Sequence, residues 1–412
     1  MSIYDKATLV QIPSGYKASG AKLYSVLPAN GDGDFTVSAD ADATRVNSDG
    51  LIETTVANQA RLSRNFIDGV VQPDPFLLLE PTRTNSTTYS EDFTQTSYWG
   101  NVVDVVATTN QTTAPDGSNT GNKIQANSGT NFKILRTGAF TIPSGITMSM
   151  FVKRGNHDYI LFKAQGDYNF NLSTLTWGGS YSNVGFEEYP DGWIRLYATT
   201  SSSVLSYFGI YLTDSSFNQS WTATGNEYVY VWGAQYETGS YPTSYIPTTT
   251  SAVTRTIDYA SGAGDINTFN DSEGTLFIDA AALGNDGTYR VINISDGTSS
   301  NRVLIQLGNN NNQIRADLIS GGVTQTSLST TSYTFTNFNK IAFKYKGNDT
   351  ALFVNGTQVG TTQIGKTMPT GLDRIDFTNG SLGSVFYFRG KLKQLMYFDT
   401  ALSNSELIQL TS

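Results

Sequence analysis

Phe338-Asn339-Lys340-Ile341-Ala342-Phe343-Lys344-Tyr345-Lys346, followed shortly by Ala351-Leu352-Phe353-Val354-Asn355-Gly356-Thr357-Gln358-Val359-Gly360, decides the fold class. Ile341, Phe343 and Tyr345 alternate with Lys340, Ala342, Lys344 and Lys346. Successive side chains of a strand point to opposite faces, so one face is greasy and the other largely cationic, which predicts a half-buried strand. Asn355-Gly356 between apolar runs fits a type I′ turn, whose two central residues both need positive φ, and 358–360 begins the return strand.

Outward from this hairpin the same pattern recurs. Runs at 148–152, 159–164, 193–197, 207–212 and 228–232 are apolar or aromatic and are separated by Gly, Asn, Asp and Ser clusters, the spacing expected of a β-sandwich. Trp193 and Trp232 fall inside these runs and are expected in the core. Shorter β-like pieces at 33–38 and 51–56 flank Asn47-Ser48-Asp49-Gly50, a hairpin signal. Prolines at 73, 75 and 81 mark one boundary, and Ser261-Gly262-Ala263-Gly264 reads as a linker. Between them, Ser240-Tyr241-Pro242-Thr243-Ser244-Tyr245-Ile246-Pro247-Thr248 reads as an extended exit arm. Ser403-Asn404-Ser405-Glu406 before Leu407 and Leu410 is a capping box and the one convincing helix start.

The expected class is all-β: an N-terminal β-rich docking region over 1–80, then antiparallel β-sandwich domains over 81–260 and 261–412. A chain of 412 residues exceeds what one hydrophobic core usually serves. With 12% aromatic and only 15% charged residues, it holds little material for long helices.

Composition also excludes chemistry. Lys and Arg total 26 against 35 Asp and Glu, so the net charge is −9 and a phosphate-neutralising role is disfavoured; neither nucleic acid nor membrane insertion is expected. The absence of cysteine removes disulfides, thiolate metal sites and cysteine nucleophiles. The single histidine, His157, sits in turn composition and is expected to be solvated rather than catalytic. The segment from Met1 to Lys6 lacks a cationic stretch leading into an apolar one, and no run approaches the about 18 apolar residues of a membrane span. A soluble product assembled in the host-cell cytoplasm is the expectation.

The segments 338–345 and 352–359, with Gly390-Lys391-Leu392-Lys393-Gln394-Leu395-Met396-Tyr397-Phe398-Asp399 and the capping box behind it, resemble the laminin-G-like, concanavalin-A-like lectin jelly roll. Upstream, the 42–53 stretch, Leu77-Leu78-Leu79-Glu80-Pro81-Thr82-Arg83-Thr84-Asn85, and Trp232-Gly233-Ala234-Gln235-Tyr236-Glu237 with 243–248 and Thr254-Arg255 resemble fibre or adhesin-like proteins of tailed bacteriophages. Where such proteins carry Arg-Leu-Asp-Tyr, this chain has Arg61-Leu62-Ser63-Arg64-Asn65. The resemblance implies a tail fibre or receptor-binding protein on the virion surface. It would contact other virion proteins through its N-terminal region, bind host surface glycan and form homo-oligomers, trimers foremost. A capsid-bound head fibre or decoration protein and a glycan depolymerase are the alternatives.

Jelly rolls also host glycosidases, which need two carboxyl groups about 5–9.5 Å apart on one face. Glu187 and Glu188 are adjacent and so point apart on a strand, and they read as a solvated loop; after Glu273 the only glutamate is Glu406. No catalytic residue is assigned, and a binder is expected. Sugar binding needs an aromatic platform with polar groups beside it. Trp99, Trp177, Tyr181 and Tyr189 sit among polar turn residues, and Asn310 and Asn311 lie in a loop joining two strands; these six are the candidate ligand-binding residues. Asp271 and Asp296 are the acidic residues a calcium-binding lectin relative would use, but no acidic loop has packed ligand spacing, so neither metal nor other cofactor is assigned.

Overall fold

The computed structural model describes residues 3–13, 35–308, 312–378 and 386–412. The chain is all-β, built of antiparallel sheets, with one α-helix, Asn404–Thr411, among the described residues. No helix among the described residues is long and apolar enough to cross a membrane.

The C-terminal sandwich pairs an eight-stranded with a five-stranded sheet. Asn339–Lys346 lies between Glu273–Ala282 and Thr350–Val354 in the larger one. Ile341, Phe343 and Tyr345 enter the core between the sheets, against Ile292, Ile294 and Ile305. Asn355 (φ 48°) and Gly356 (φ 78°) have the two positive values that a type I′ turn requires. The other face of Asn339–Lys346 differs from the expected cationic surface. Helix Asn404–Thr411 covers it, setting Leu407 and Leu410 against Ala342, Phe353 and Met396. Lys344 is buried beneath the helix, and its ammonium reaches Asp349 Oδ1 and Asn404 Oδ1, each at 2.7 Å. The helix starts where the sequence predicts: Ser403 and Glu406 form both hydrogen bonds of the capping box.

Three strands from the first 80 residues, Leu9–Gln11, Arg61–Ser63 and Phe76–Leu79, are built into this sandwich, while Ala43–Val46 with Ile52–Thr55 and Phe66–Ile67 with Val70–Val71 form small hairpins. One edge of Gly390–Phe398 pairs with Glu273–Ala282. Its other edge is shared by two short strands, Phe76–Leu79 opposite 390–392 and Leu9–Gln11 opposite 395–397. Leu9, Leu77 and Leu79 consequently belong to the C-terminal core. The expected linker is paired too: Tyr259–Ser261 runs antiparallel to Thr36–Ser38, and Ala263 bridges Ile375.

The middle sandwich stacks a six-stranded sheet on a seven-stranded one around Met148, Met150, Ile160, Phe162 and Leu196. Trp193 and Trp232 are buried, as the sequence predicts, but on the outer face of the six-stranded sheet. There they pack with Phe151 and Tyr189 against Ile52 of the Ala43–Val46/Ile52–Thr55 hairpin and Tyr245 of the proline-bounded arm. The arm is thus packed in the junction between the sandwiches.

Because three strands and three core leucines come from the N-terminal segment, a fragment of residues 265–412 should not be autonomous. It would expose the edge of Gly390–Phe398, and each lost leucine would forfeit about 1.5–3 kcal/mol of burial. The expected outcome by size-exclusion chromatography and urea denaturation is an associating fragment far less stable than the full chain; a monomeric fragment of full stability would refute this.

Candidate functional site

The segments around Glu80, Arg83 and Asn85, and those around Glu237, Ser244, Arg255 and Asp258, are far apart in sequence and meet in one buried junction. Leu77 and Leu79 point into the C-terminal core, so Leu78 and its partner across the ladder, Arg61, stand on the opposite face. Arg61 Nη1 lies 2.6 Å from Glu80 Oε2, and its other terminal nitrogen meets Asp258. Arg255 Nη1 approaches the same Glu80 oxygen at 2.8 Å. Ser244 donates its hydroxyl to Glu80 Oε2 at 2.6 Å and its backbone N–H to Oε1 at 2.8 Å. Burial alone would raise the Glu80 pKa, but the two guanidiniums and the Ser244 donors bring it down to about 2. At Asp258 burial outweighs its arginines, and its pKa rises. Beside this cluster, Glu237 accepts from Thr243 N at 2.9 Å and Thr243 Oγ1 at 2.6 Å. Asn85 donates to the carbonyls of Ala234 and Ile246, tying the arm to the middle sandwich.

Next to the junction opens a cleft of about 680 Å³. Its floor is the outer face of the larger C-terminal sheet, with Phe76, Phe338, Lys391 and Lys393. Glu187, Tyr189, Arg195 and Tyr197 of the middle sandwich form one wall, and the 63–74 segment and the 241–245 arm close the remainder. Arg195 is fixed by Thr243 O at 2.7 Å and by Ser149 Oγ, and lies 4.0 Å from the exposed carboxylate of Glu187. Burial and the neighbouring Glu187 raise the Tyr197 pKa, so its hydroxyl stays protonated and able to donate. The cleft therefore offers a saccharide aromatic walls, fixed donors and a carboxylate acceptor in one concavity.

The sequence-predicted site residues fall in different places. Trp99 is a correction: it is 0% exposed, packs on Phe93 and donates its indole N–H to Tyr89 O, so it is a core residue. Its polar neighbours do form turns, but the ring turns inward to fill the middle core. Trp177 and Tyr181 are brought together, ring centroids 6.0 Å apart, half-buried with Tyr168 at an edge of the seven-stranded sheet and away from the cleft. Tyr189 is buried but lines the cleft, wedged between Phe66 and Phe151. Asn310 and Asn311 lie outside the described residues.

His157 is also corrected: it is buried, stacked on Trp221, with Nε2 2.8 Å from Thr213 O. Glu187 and Glu188 end the strand Val184–Glu188 and are not a loop; Glu187 stands opposite Arg195, Glu188 opposite Ile194. Asp271 accepts from the backbone of Gly371 and Leu372, and Asp296 from Thr298 and Asn301. Among the described residues no group of three or more carboxylate or histidine side chains is placed to hold a metal ion. The cleft residues Phe76, Phe338, Lys391 and Lys393 were not singled out from sequence. A signal exists in Leu392-Lys393-Gln394-Leu395, where the apolar alternation slips by one residue.

The described residues form two antiparallel β-sandwiches with the cleft between them. Residues 274–408 match a laminin G family described as the concanavalin A-like lectin/glucanases superfamily, and the C-terminal sandwich is a jelly roll of that kind. No curated protein matches the chain. Among solved structures, the Ruminococcus gnavus IT-sialidase CBM40 bound to α2,3 sialyllactose is similar at 20% identity over 37% of this chain and 94% of that one, with a TM-score of 0.32. Domains LG4-5 of the mouse laminin α1 chain are similar at 10% identity over 66% and 91%, with a TM-score of 0.25. Trypanosoma rangeli sialidase is similar at 10% identity over 70% and 60%, with a TM-score of 0.29. Likenesses of this size carry no information about what the present chain binds.

Replacing Glu80 by Gln leaves Arg61 and Arg255 buried without their shared counter-charge, at an expected cost of about 3–5 kcal/mol at pH 7. A carboxylate whose folded pKa is depressed contributes stability that is present above its unfolded value, 4.5, and lost as pH falls toward about 2. The wild-type advantage over Glu80→Gln in urea denaturation should therefore narrow between pH 4.5 and pH 2; a gap independent of pH would contradict this assignment.

Proposed function

We propose that this chain is a non-enzymatic, glycan-binding attachment protein of the kind carried as a tail fibre or receptor-binding protein on phage virions, and that the cleft between its two sandwiches seats the glycan. The observation that carries the reading is the cleft itself: about 680 Å³, walled by Tyr189, Tyr197, Phe76 and Phe338, with Arg195 and Glu187 fixed on one side. Sugars present apolar ring faces and paired hydroxyls, and this lining matches both. The phage setting rests on the sequence resemblance of the 77–85 and 232–255 stretches. In this reading the N-terminal region makes the virion contact, and a homotrimer multiplies weak sites into avidity about 10² to 10⁴ above that of one. Glu80, held by Arg61, Arg255 and Ser244 with a pKa of about 2, is unsuited to act as a general acid at neutral pH.

The test is binding of the assembled protein to immobilised bacterial surface polysaccharides, before and after periodate oxidation. Saturable, periodate-sensitive binding is expected. Asp74→Trp, at an exposed position on the cleft lining, should weaken it at least tenfold, while Trp177→Ala at the distant sheet edge should stay within twofold of wild type. No saturable binding by folded protein, or binding indifferent to Asp74→Trp, would overturn the proposal.

A further inference from the structure

The cleft floor has a feature that a neutral-sugar site does not need. In Gly390–Phe398, Gln394 stands opposite Asp279 and Leu392 opposite Ala280, so Lys393 is the extra residue of a β-bulge. Leu392 and Leu395 both enter the core. The bulge therefore leaves Lys393 and Gln394 together on the outer face, where Lys391 already stands opposite Leu78. Lys391 Nζ lies 5.2 Å from the Phe76 ring centroid, and Lys393 Nζ 4.5 Å from that of Phe338. The two rings are 5.9 Å apart, so both lysines stack on one aromatic pair.

A ring attracts a cation through its quadrupole without cancelling the charge. Among the described residues neither lysine forms an ion pair: Lys391 donates to the neutral Asn65 Oδ1 at 2.9 Å, and Lys393 feels Asp279 only at longer range, a carboxylate that Lys340 also balances. Burial lowers the Lys391 pKa against the opposing pull of Glu187 and Glu80, so the floor carries two lysines without a direct carboxylate partner. The walls and rim carry both signs, with Glu187, Glu188, Asp68 and Asp74 beside Arg45, Arg64 and Arg195. A densely charged polyanion would meet these four carboxylates, whereas a saccharide with isolated carboxylates meets cations at the floor and acceptors for its hydroxyls above.

We infer that the cleft selects an acidic saccharide, whose sugar carboxylate sits between Lys391 and Lys393 while neighbouring hydroxyls face Glu187 and Arg195. This rests on the cleft being the glycan site. The test measures binding of the full chain to carboxylated polysaccharides, to the same polymers with their carboxyl groups reduced to primary alcohols, and to linear polyphosphate. Carboxyl reduction should weaken binding at least tenfold, and polyphosphate should bind at least tenfold more weakly than the acidic polysaccharide. Lys393→Met should abolish the preference for the acidic over the reduced polymer while its melting temperature stays that of wild type. Lys391→Met is the second variant, with the same expectation. Binding that survives reduction within twofold but is still blocked by Asp74→Trp would overturn the acidic preference and leave the cleft as the glycan site. Binding indifferent to Asp74→Trp would remove both, and polyphosphate binding equal to the polysaccharide would replace the inference with a generic anion site.

Discussion

A single carboxylate, Glu80, receives Arg61 from the segment before it and Arg255 from the segment after the middle sandwich, with Ser244 of the crossing arm as third donor. These groups come from stretches that would otherwise be joined only by chain connectivity. Taking four charged side chains out of water is costly unless each finds its partner, so the junction tolerates one arrangement and penalises those that separate them. The cleft inherits its shape from this constraint, because its walls belong to different sandwiches and its edge is the arm that Ser244 anchors.

The same logic separates what could be read locally from what could not. The hairpin at Asn355-Gly356, the capping box at Ser403 and Glu406, and the burial of Trp193 and Trp232 follow from patterns a few residues long, and the structure has them where the sequence puts them. Trp99 and His157 have polar neighbours in sequence but a ring or carbonyl from elsewhere to cover them, and Lys344, whose alternation with Phe343 and Tyr345 reads as a solvated strand face, is covered by a distant helix. Local composition describes the backbone turn correctly and says nothing of the long-range partner. The pairing of Leu9–Gln11 and Phe76–Leu79 with Gly390–Phe398 is beyond local reading for the same reason.

The candidate site was legible only in fragments. Tyr189 was picked as an aromatic among polar residues and does line the cleft, and Glu187 was weighed as a catalytic carboxylate and lies beside Arg195. The lysine pair depends on a bulge, and a bulge is visible in sequence only as Leu392 and Leu395 falling three apart where a regular strand would space them by two or four. Glu80 and Arg83, and Arg255 and Asp258, are three residues apart, but Asp5-Lys6 and Asp373-Arg374 stand closer still, so the junction leaves no distinctive trace in the sequence.

The shared edge of Gly390–Phe398 bears on how the protein is made. Leu9 pairs with Tyr397, and Leu79 with Gly390, so these early strands each keep an edge unpaired until Gly390–Phe398 has been made. Contacts this distant make folding slow, and during the wait the exposed strands are free to pair with those of another chain. Completion of the C-terminal sandwich therefore waits until Gly390–Phe398 has been made. Where many copies are made at once, neighbouring nascent chains compete for that same edge, and the yield of correctly closed molecules falls as the rate of synthesis rises.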